Sequence, residues 1–219
     1  MPVTGDTTVT DDRTIQLRLL DRLLNQELAL EETLRESSEI LEKVLDPGAG
    51  WDSATSDPIA DAQEARLTVF EQCQRRANVM VLPYHVYEAL RNHEAVLDRI
   101  KYSALGTVTA DLLAQVFDVD RVLVPRCHVN RAAKGQEPSV EPVWGSAAYF
   151  MHVAPRPGLK QVTLANTFVW NGMPGSTDGV VVERWRDNGR KADMIRVQKY
   201  YDMKLIAPGA GFRITNVTS

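Results

Sequence analysis

The chain has 219 residues, 44% of them hydrophobic, which is enough to bury one large core or two small ones and excludes disorder as the default state. Its 25 Lys and Arg stand against 29 Asp and Glu, and a net charge of -4 excludes a general affinity for nucleic acid. Cys73 and Cys127 are too few for a disulfide framework and lack the paired spacing of a structural zinc site, while no apolar run approaches the ~20 residues of a membrane span. A soluble product that folds in a reducing cytoplasm, without a recognisable export signal, is the expectation.

The first elements read as helical. Residues 1–13 are polar and are expected to form a disordered tail, and from Thr14 to Leu45 a helical repeat follows. Leu23, Leu30, Leu34, Leu41 and Leu45 are spaced by seven and four, and Leu17, Leu20, Leu24 and Leu28 form an adjoining stripe. Two stripes imply contact on more than one side; a coiled-coil dimer is the plainer alternative. Asp46-Pro47-Gly48-Ala49-Gly50 stops the helix, and the polar stretch to Ser56 reads as a linker. Asp57 as N-cap and Pro58 at the first helical position open a second helix.

A mixed middle follows. Asn78 to Leu82 reads as a short buried strand, Tyr84 to Arg91 as a helix, and Thr109 as the cap of a helix ending near Phe117. Arg121 to Val124 reads as another apolar strand, so strands alternate with helices in a compact α/β layer. Asn130 to Pro142 is polar and expected to be an exposed loop, after which Ser146 to Ala154 and Gln161 to Trp170 read as strands.

The end is extended. Val180 to Trp185 and Met194 to Leu205 flank Asp187-Asn188-Gly189, where Asn188-Gly189 is expected to supply the positive φ values of a tight I′ hairpin. Ile195, Val197, Tyr201, Met203 and Leu205 alternate with Arg196, Gln198, Asp202 and Lys204, and Lys199 is the one charge on the apolar side. The first helix and this ribbon are expected to share one domain, with the middle inserted between them.

Chemistry-bearing motifs are scarce. Cys127-His128 is the most tempting pair for a nucleophile, but neighbours on a strand point to opposite faces and could not share a proton there. His85, His93 and His152 show no ligand spacing with one another or with a cysteine. The runs Gly172-Met173-Pro174-Gly175-Ser176 and Pro208-Gly209-Ala210-Gly211 do not join a strand to a helix and read as turns. Around the hairpin turn, Arg184, Trp185, Arg186, Arg190 and Lys191 gather charge and an aromatic ring, a cluster suited to a solvated tip, an acidic neighbour or nucleic acid. Trp144, Trp170, Phe150 and Tyr149 read as core or interface anchors.

Several segments, in order, resemble the HK97-fold major capsid proteins of tailed phages. They are Ser56 to Asp61, Val81-Leu82-Pro83 with Val86 to Leu90, Asp98 to Tyr102, Leu112 to Ala114 through Val119 to Val124, Val143-Trp144-Gly145, and Tyr201 to Pro208 with Gly211-Phe212. The resemblance implies an α+β fold in which a long spine helix packs on a β-ribbon as a peripheral domain, with an α/β axial domain inserted. In that frame 1–13 is the tail, 14–56 the spine helix and linker, 57–158 the axial domain, and 159–219 the ribbon and C-terminal tail. Family members carry an N-terminal arm and an extended loop before the spine helix; with only about a dozen residues ahead of it here, most of both is expected to be missing.

As to function, the resemblance implies a virion structural protein, or a prophage-derived version of one. It would fold in the bacterial host cytoplasm and self-assemble into a shell around DNA without enzymatic activity, cofactor or metal. Its implied partners are itself in pentamers and hexamers, a portal, a scaffolding protein and a maturation protease, with no membrane and no sequence-specific nucleic acid. Arg184, Trp185, Arg186, Arg190 and Lys191 are the expected contacts between subunits. Two alternatives are an encapsulin-like compartment shell and a small α/β enzyme using Cys127 or a histidine.

Overall fold

Thr7 to Glu36 contains neither glycine nor proline, and the chain is helical over all of it. The computed structural model describes residues 7–101, 108–133, 135–156, 158, 160–172 and 179–218, with side chains described from Gln16 onward except that of Arg18. In chain order the elements are α1 (Thr7–Glu36), β1 (Leu41–Val44), α2 (Pro58–Cys73), β2 (Val79–Val81), α3 (Tyr84–Asn92), α4 (Glu94–Ile100) and α5 (Ala110–Val116). Then come β3 (Arg121–Leu123), β4 (His128–Asn130), β5 (Val140–Pro142), β6 (Ala148–Met151), β7 (Ala165–Val169), β8 (Val180–Asp187), β9 (Ala192–Lys199), β10 (Tyr201–Leu205) and β11 (Gly211–Thr215). Tyr102 and Met173 to Ser176, which carried sequence expectations, lie outside the described residues.

The chain divides into two units, Met1–Thr33 with Thr167–Lys204, and Leu34–Asn166 with Leu205–Ser219. In the first, β8 and β9 form an antiparallel hairpin, and α1 reaches β9 through Arg22, whose guanidinium donates to the Val197 carbonyl. Lys199 Nζ donates to Gln26 Oε1 at 3.3 Å, so this cation on the side of Ile195 and Val197 has a polar partner on α1, and register adds Arg184 and Arg186 to that same side.

The second unit is built on a five-stranded sheet of order β1-β11-β6-β2-β3. β1 runs parallel to β11 and β2 parallel to β3, while β6 is antiparallel to both of its neighbours. Its central strands are buried throughout: Val79 to Val81, Ala148 to Met151 and Gly211 to Ile214. One cluster including Trp51, Val69, Met80, Leu90, Leu113, Phe117, Phe150 and Ile214 forms the core between sheet and helices. Asp57 Oδ1 accepts from the amides of Ile59 and Ala60, both at 3.1 Å, and opens α2 at Pro58. Thr109 Oγ1 caps α5 by accepting from the Leu112 amide at 3.3 Å.

Seven sequence expectations give way. The tail shrinks, because α1 already includes residues 7–13, where β-branched Thr and Val hide the helical period. At the other end α1 stops at Glu36 before Ser37-Ser38, and Leu41 and Leu45 belong to β1 and its flank, not to a continuation of the helix. The spacing of four fits both; what decides is the pairing of Leu41 with Phe212 far along the chain, and the Arg213 guanidinium that receives the end of the helix.

The stretch expected as a linker up to Ser56 is packed instead. Trp51 is fully buried, donates through Nε1 to Asp61 Oδ2 at 2.9 Å, stacks on Phe117, and its amide donates to the Val217 carbonyl. A Cβ at Gly50 would stand 2.9 Å from that same carbonyl oxygen, so the approach needs glycine. Asn130 to Pro142 is exposed but not merely a loop, since β4 and β5 pair within it.

The terminal ribbon also differs. Asn188 and Gly189 do not take positive φ; a four-residue turn joins Asp187 to Ala192, Asp187 Oδ1 accepts from the Gly189 and Arg190 amides, and Lys191 carries the positive φ of 50°. Met194 to Leu205 is two strands, because at Tyr200 the chain leaves β8 and its carbonyl accepts from the Trp170 amide at 3.1 Å. Finally, β11 is a strand of the five-stranded sheet, with Phe212 and Ile214 buried, so the segment after Leu205 is no part of the ribbon.

Candidate functional site

Register along the β8–β9 hairpin decides which of the expected contact residues stand together. Arg184 lies opposite Ile195 and Arg186 opposite Asp193 on one face; Trp185 lies opposite Met194 on the other. On the Trp185 face the Arg196 guanidinium sits 5.5 Å from the indole centroid, and its Nε donates to Glu183 Oε2 at 2.6 Å. Trp185 is nevertheless 45% exposed. Arg186 Nη1 donates to Asp193 Oδ1 at 2.8 Å and its Nη2 to the Lys191 carbonyl, while Arg190 lies 3.8 Å from Asp187. Lys191, at the turn, is exposed and has no ion pair among the described residues. Six cations against three carboxylates leave the hairpin from Val180 to Lys199 with a net charge of +3. The tip therefore offers a half-covered indole beside a basic turn.

Another element of this unit, α1, presents the complementary chemistry. Arg22 and Gln26 mark the side of α1 that meets the hairpin. At 3.6 residues per turn Leu17, Leu20 and Leu24 lie on the opposite side, and Leu17 and Leu20 are 55% and 60% exposed. Exposed Asp21 lies beside that ridge and exposed Glu32 lies on the same side of it, two turns beyond Leu24, and α1 as a whole has seven carboxylates against four arginines, a net charge of -3. Nearby in sequence to the hairpin, Trp170 and Tyr200 meet edge to face at 5.8 Å and are 59% and 53% exposed. With Phe168, Val169, Tyr201 and Asp202 they line a groove of about 440 Å³. Of the aromatics read as anchors, Trp144, Tyr149 and Phe150 are buried and Trp170 is surface.

In the second unit a cleft of about 310 Å³ is lined by Tyr84, His85, Cys127, His128 and Trp144 with Pro83, Pro125 and Pro142. Cys127 and His128, expected to diverge, thus open onto one cleft, and His85 joins them from the start of α3. His85 carried no motif in the sequence; only the meeting of α3 with β4 brings it there. Burial holds its imidazole below the ordinary value of 6.5. His128 Nδ1 donates to the Arg126 carbonyl at 3.0 Å, and no hydrogen bond orients the His85 ring among the described residues. The remaining histidines are structural: His93 Nδ1 caps α4 by accepting from the Ala95 amide, and His152 Nδ1 bonds the Arg76 carbonyl. Among the described residues no three His, Cys, Asp or Glu are grouped to hold a metal ion, and no helix is long and apolar enough to cross a membrane.

No model of a known protein family matches the chain. It is 25% identical over 175 residues to the major capsid protein of Burkholderia phage BcepMu, a match covering 80% of this chain and 55% of that protein, so the chain spans about half the length of the relative. Its fold is similar to that of a phage-related protein from Bordetella bronchiseptica RB50, with a TM-score of 0.80 at 22% identity over 99% of this chain and 70% of the other. It is also similar to a virus-like particle protein from Pyrococcus furiosus, with a TM-score of 0.54 at 11% identity over 88% and 63% of the two chains. A Mycobacterium phage Che8 structure aligns with a TM-score of 0.50 at 14% identity over 94% and 63%. The chain thus resembles phage major capsid proteins, and its mixed α+β fold is similar to capsid folds.

Proposed function

We propose that the chain is the shell-forming subunit of a tailed phage, or a prophage-derived version of one, organised as in the HK97 fold and enclosing DNA. The observation that carries this reading is the 175-residue match to a phage major capsid protein. The division of the chain supports it: α1 and the hairpin, from opposite ends of the sequence, form one unit that would be the peripheral domain, and the unit around the five-stranded sheet would be the axial domain. The work of such a subunit is to bind copies of itself. Each copy makes several modest contacts, so multivalency supplies stability while single contacts stay reversible enough to correct errors. No step of this needs a catalytic group or a cofactor.

The other partners would be a portal, a scaffolding protein and a maturation protease, and the final location the virion after folding in the host cytoplasm. Negative-stain electron microscopy of the purified protein tests the reading. Closed particles or regular open sheets are expected; single subunits at every concentration, alone and co-expressed with the scaffolding and portal proteins of the same genome, would overturn it. A compartment shell holding protein cargo is a second reading, favoured by the likeness to the Pyrococcus furiosus virus-like particle. Nucleic acid or enzyme inside the purified particles separates the two.

A further inference from the structure

We infer that the tip of the β8–β9 hairpin of one copy docks on the outward leucine ridge of α1 in a second copy; this rests on the shell reading and names the surfaces it would use. Both surfaces belong to the same unit, and each shows what the other lacks. The ridge of Leu17, Leu20 and Leu24 is apolar, faces away from the hairpin of its own chain, and has exposed Asp21 beside it and exposed Glu32 on the same side two turns further along. The tip carries the half-exposed Trp185 with Met194 beside it, next to Arg190 and Lys191 at the turn.

Charge selects this pairing over its rivals. Ridge against ridge would bring together two helices of net charge -3, and tip against tip two hairpins of +3, whereas tip on ridge joins opposite charges. Trp185 is the natural anchor: an aromatic that enters a leucine surface buries a large area at little conformational cost. The two cations at the turn then face the side of the ridge that carries Asp21 and, further along, Glu32. Because the two patches differ, the contact is heterologous. Each copy offers one tip and one ridge, so the contact propagates from copy to copy and closes into a ring or extends as a lattice.

The test is a charge exchange read by sedimentation velocity on the full chain, with circular dichroism confirming the fold of each variant. Reversing the tip (R190E with K191E) or the ridge (D21K with E32K) should each weaken association by about tenfold or more. Combining all four substitutions restores opposite charge and should return it to within about threefold of the parent. Weakening in both arms without restoration in the combined variant would overturn the pairing, as would assemblies that ignore both reversals; in either case the shell reading survives. A parent chain that never associates removes the docking and the shell together. W185A, which leaves every charge in place, should weaken association by a similar factor, and unchanged assembly there would deny the indole its role.

Discussion

Arg213 shows how one buried cation can hold distant parts of a chain. It is 8% exposed, and its guanidinium donates to the carbonyls of Leu34 and Arg35 at the end of α1 and to Glu42 Oε2 at 2.7 Å. Helix ends leave carbonyls without intrahelical partners, and a cation there satisfies them. Replacing Arg213 with Met should lower stability by about 2–3 kcal/mol in urea unfolding, because the carbonyls and Glu42 lose their donor together. Glu42 gives the pH dependence. Burial pushes its carboxyl up, but hydrogen bonds from Arg213 and Thr215 and the charge of Arg213 outweigh it, and the pKa lies below the ordinary 4.5. The unfolded chain binds this proton more readily, so the stabilisation is full above 4.5 and is lost as pH falls through the lowered native value. In E42Q that part of the acid sensitivity should disappear. At the cleft, the proposed shell role has no use for an activated thiol, so on that proposal slow labelling of Cys127 by a thiol reagent below neutral pH is expected. Fast labelling there would revive the enzyme alternative.

Short range decided some elements and long range the others. Asp57-Pro58 and Thr109 mark their helices because a cap is made by residues two or three positions apart, and the structure uses both as read. β1 could not be read this way: Leu41 and Leu45 continue a helical spacing, and only the parallel partner β11 makes them strand and flank. At the hairpin, Asn188-Gly189 suggested one turn and the Asp187 carboxylate selected another by accepting two amides. That choice leaves Lys191 left-handed at φ 50°. Lys191→Gly should therefore raise stability by about 0.5–1 kcal/mol, measured by thermal unfolding under conditions that keep the chain monomeric. The cluster at the tip was visible as composition, but its division into an arginine face and an indole face came from register.

For the whole molecule, the expected behaviour is association through the hairpin. Reversing Arg184 and Arg186 to Glu should shift any oligomer toward monomer in sedimentation; unchanged profiles would mean that this arginine face touches no neighbour. Arg186 pairs with Asp193 inside the hairpin, so the reversal needs a circular dichroism control for local repulsion. The amino-acid sequence alone determined the helical opening, the capped helices of the middle, the extended ending, and the resemblance of ordered segments to a capsid family. Those are properties of neighbours within a few positions, where propensity and periodicity act. Tertiary structure decided that the ends of the chain divide between two units, that Trp51 is core and not linker, that β11 completes the sheet beside β1, and that His85 shares a cleft with Cys127. Each of these depends on partners more than forty residues apart, whose meeting is fixed by the burial of a common core and leaves no local mark.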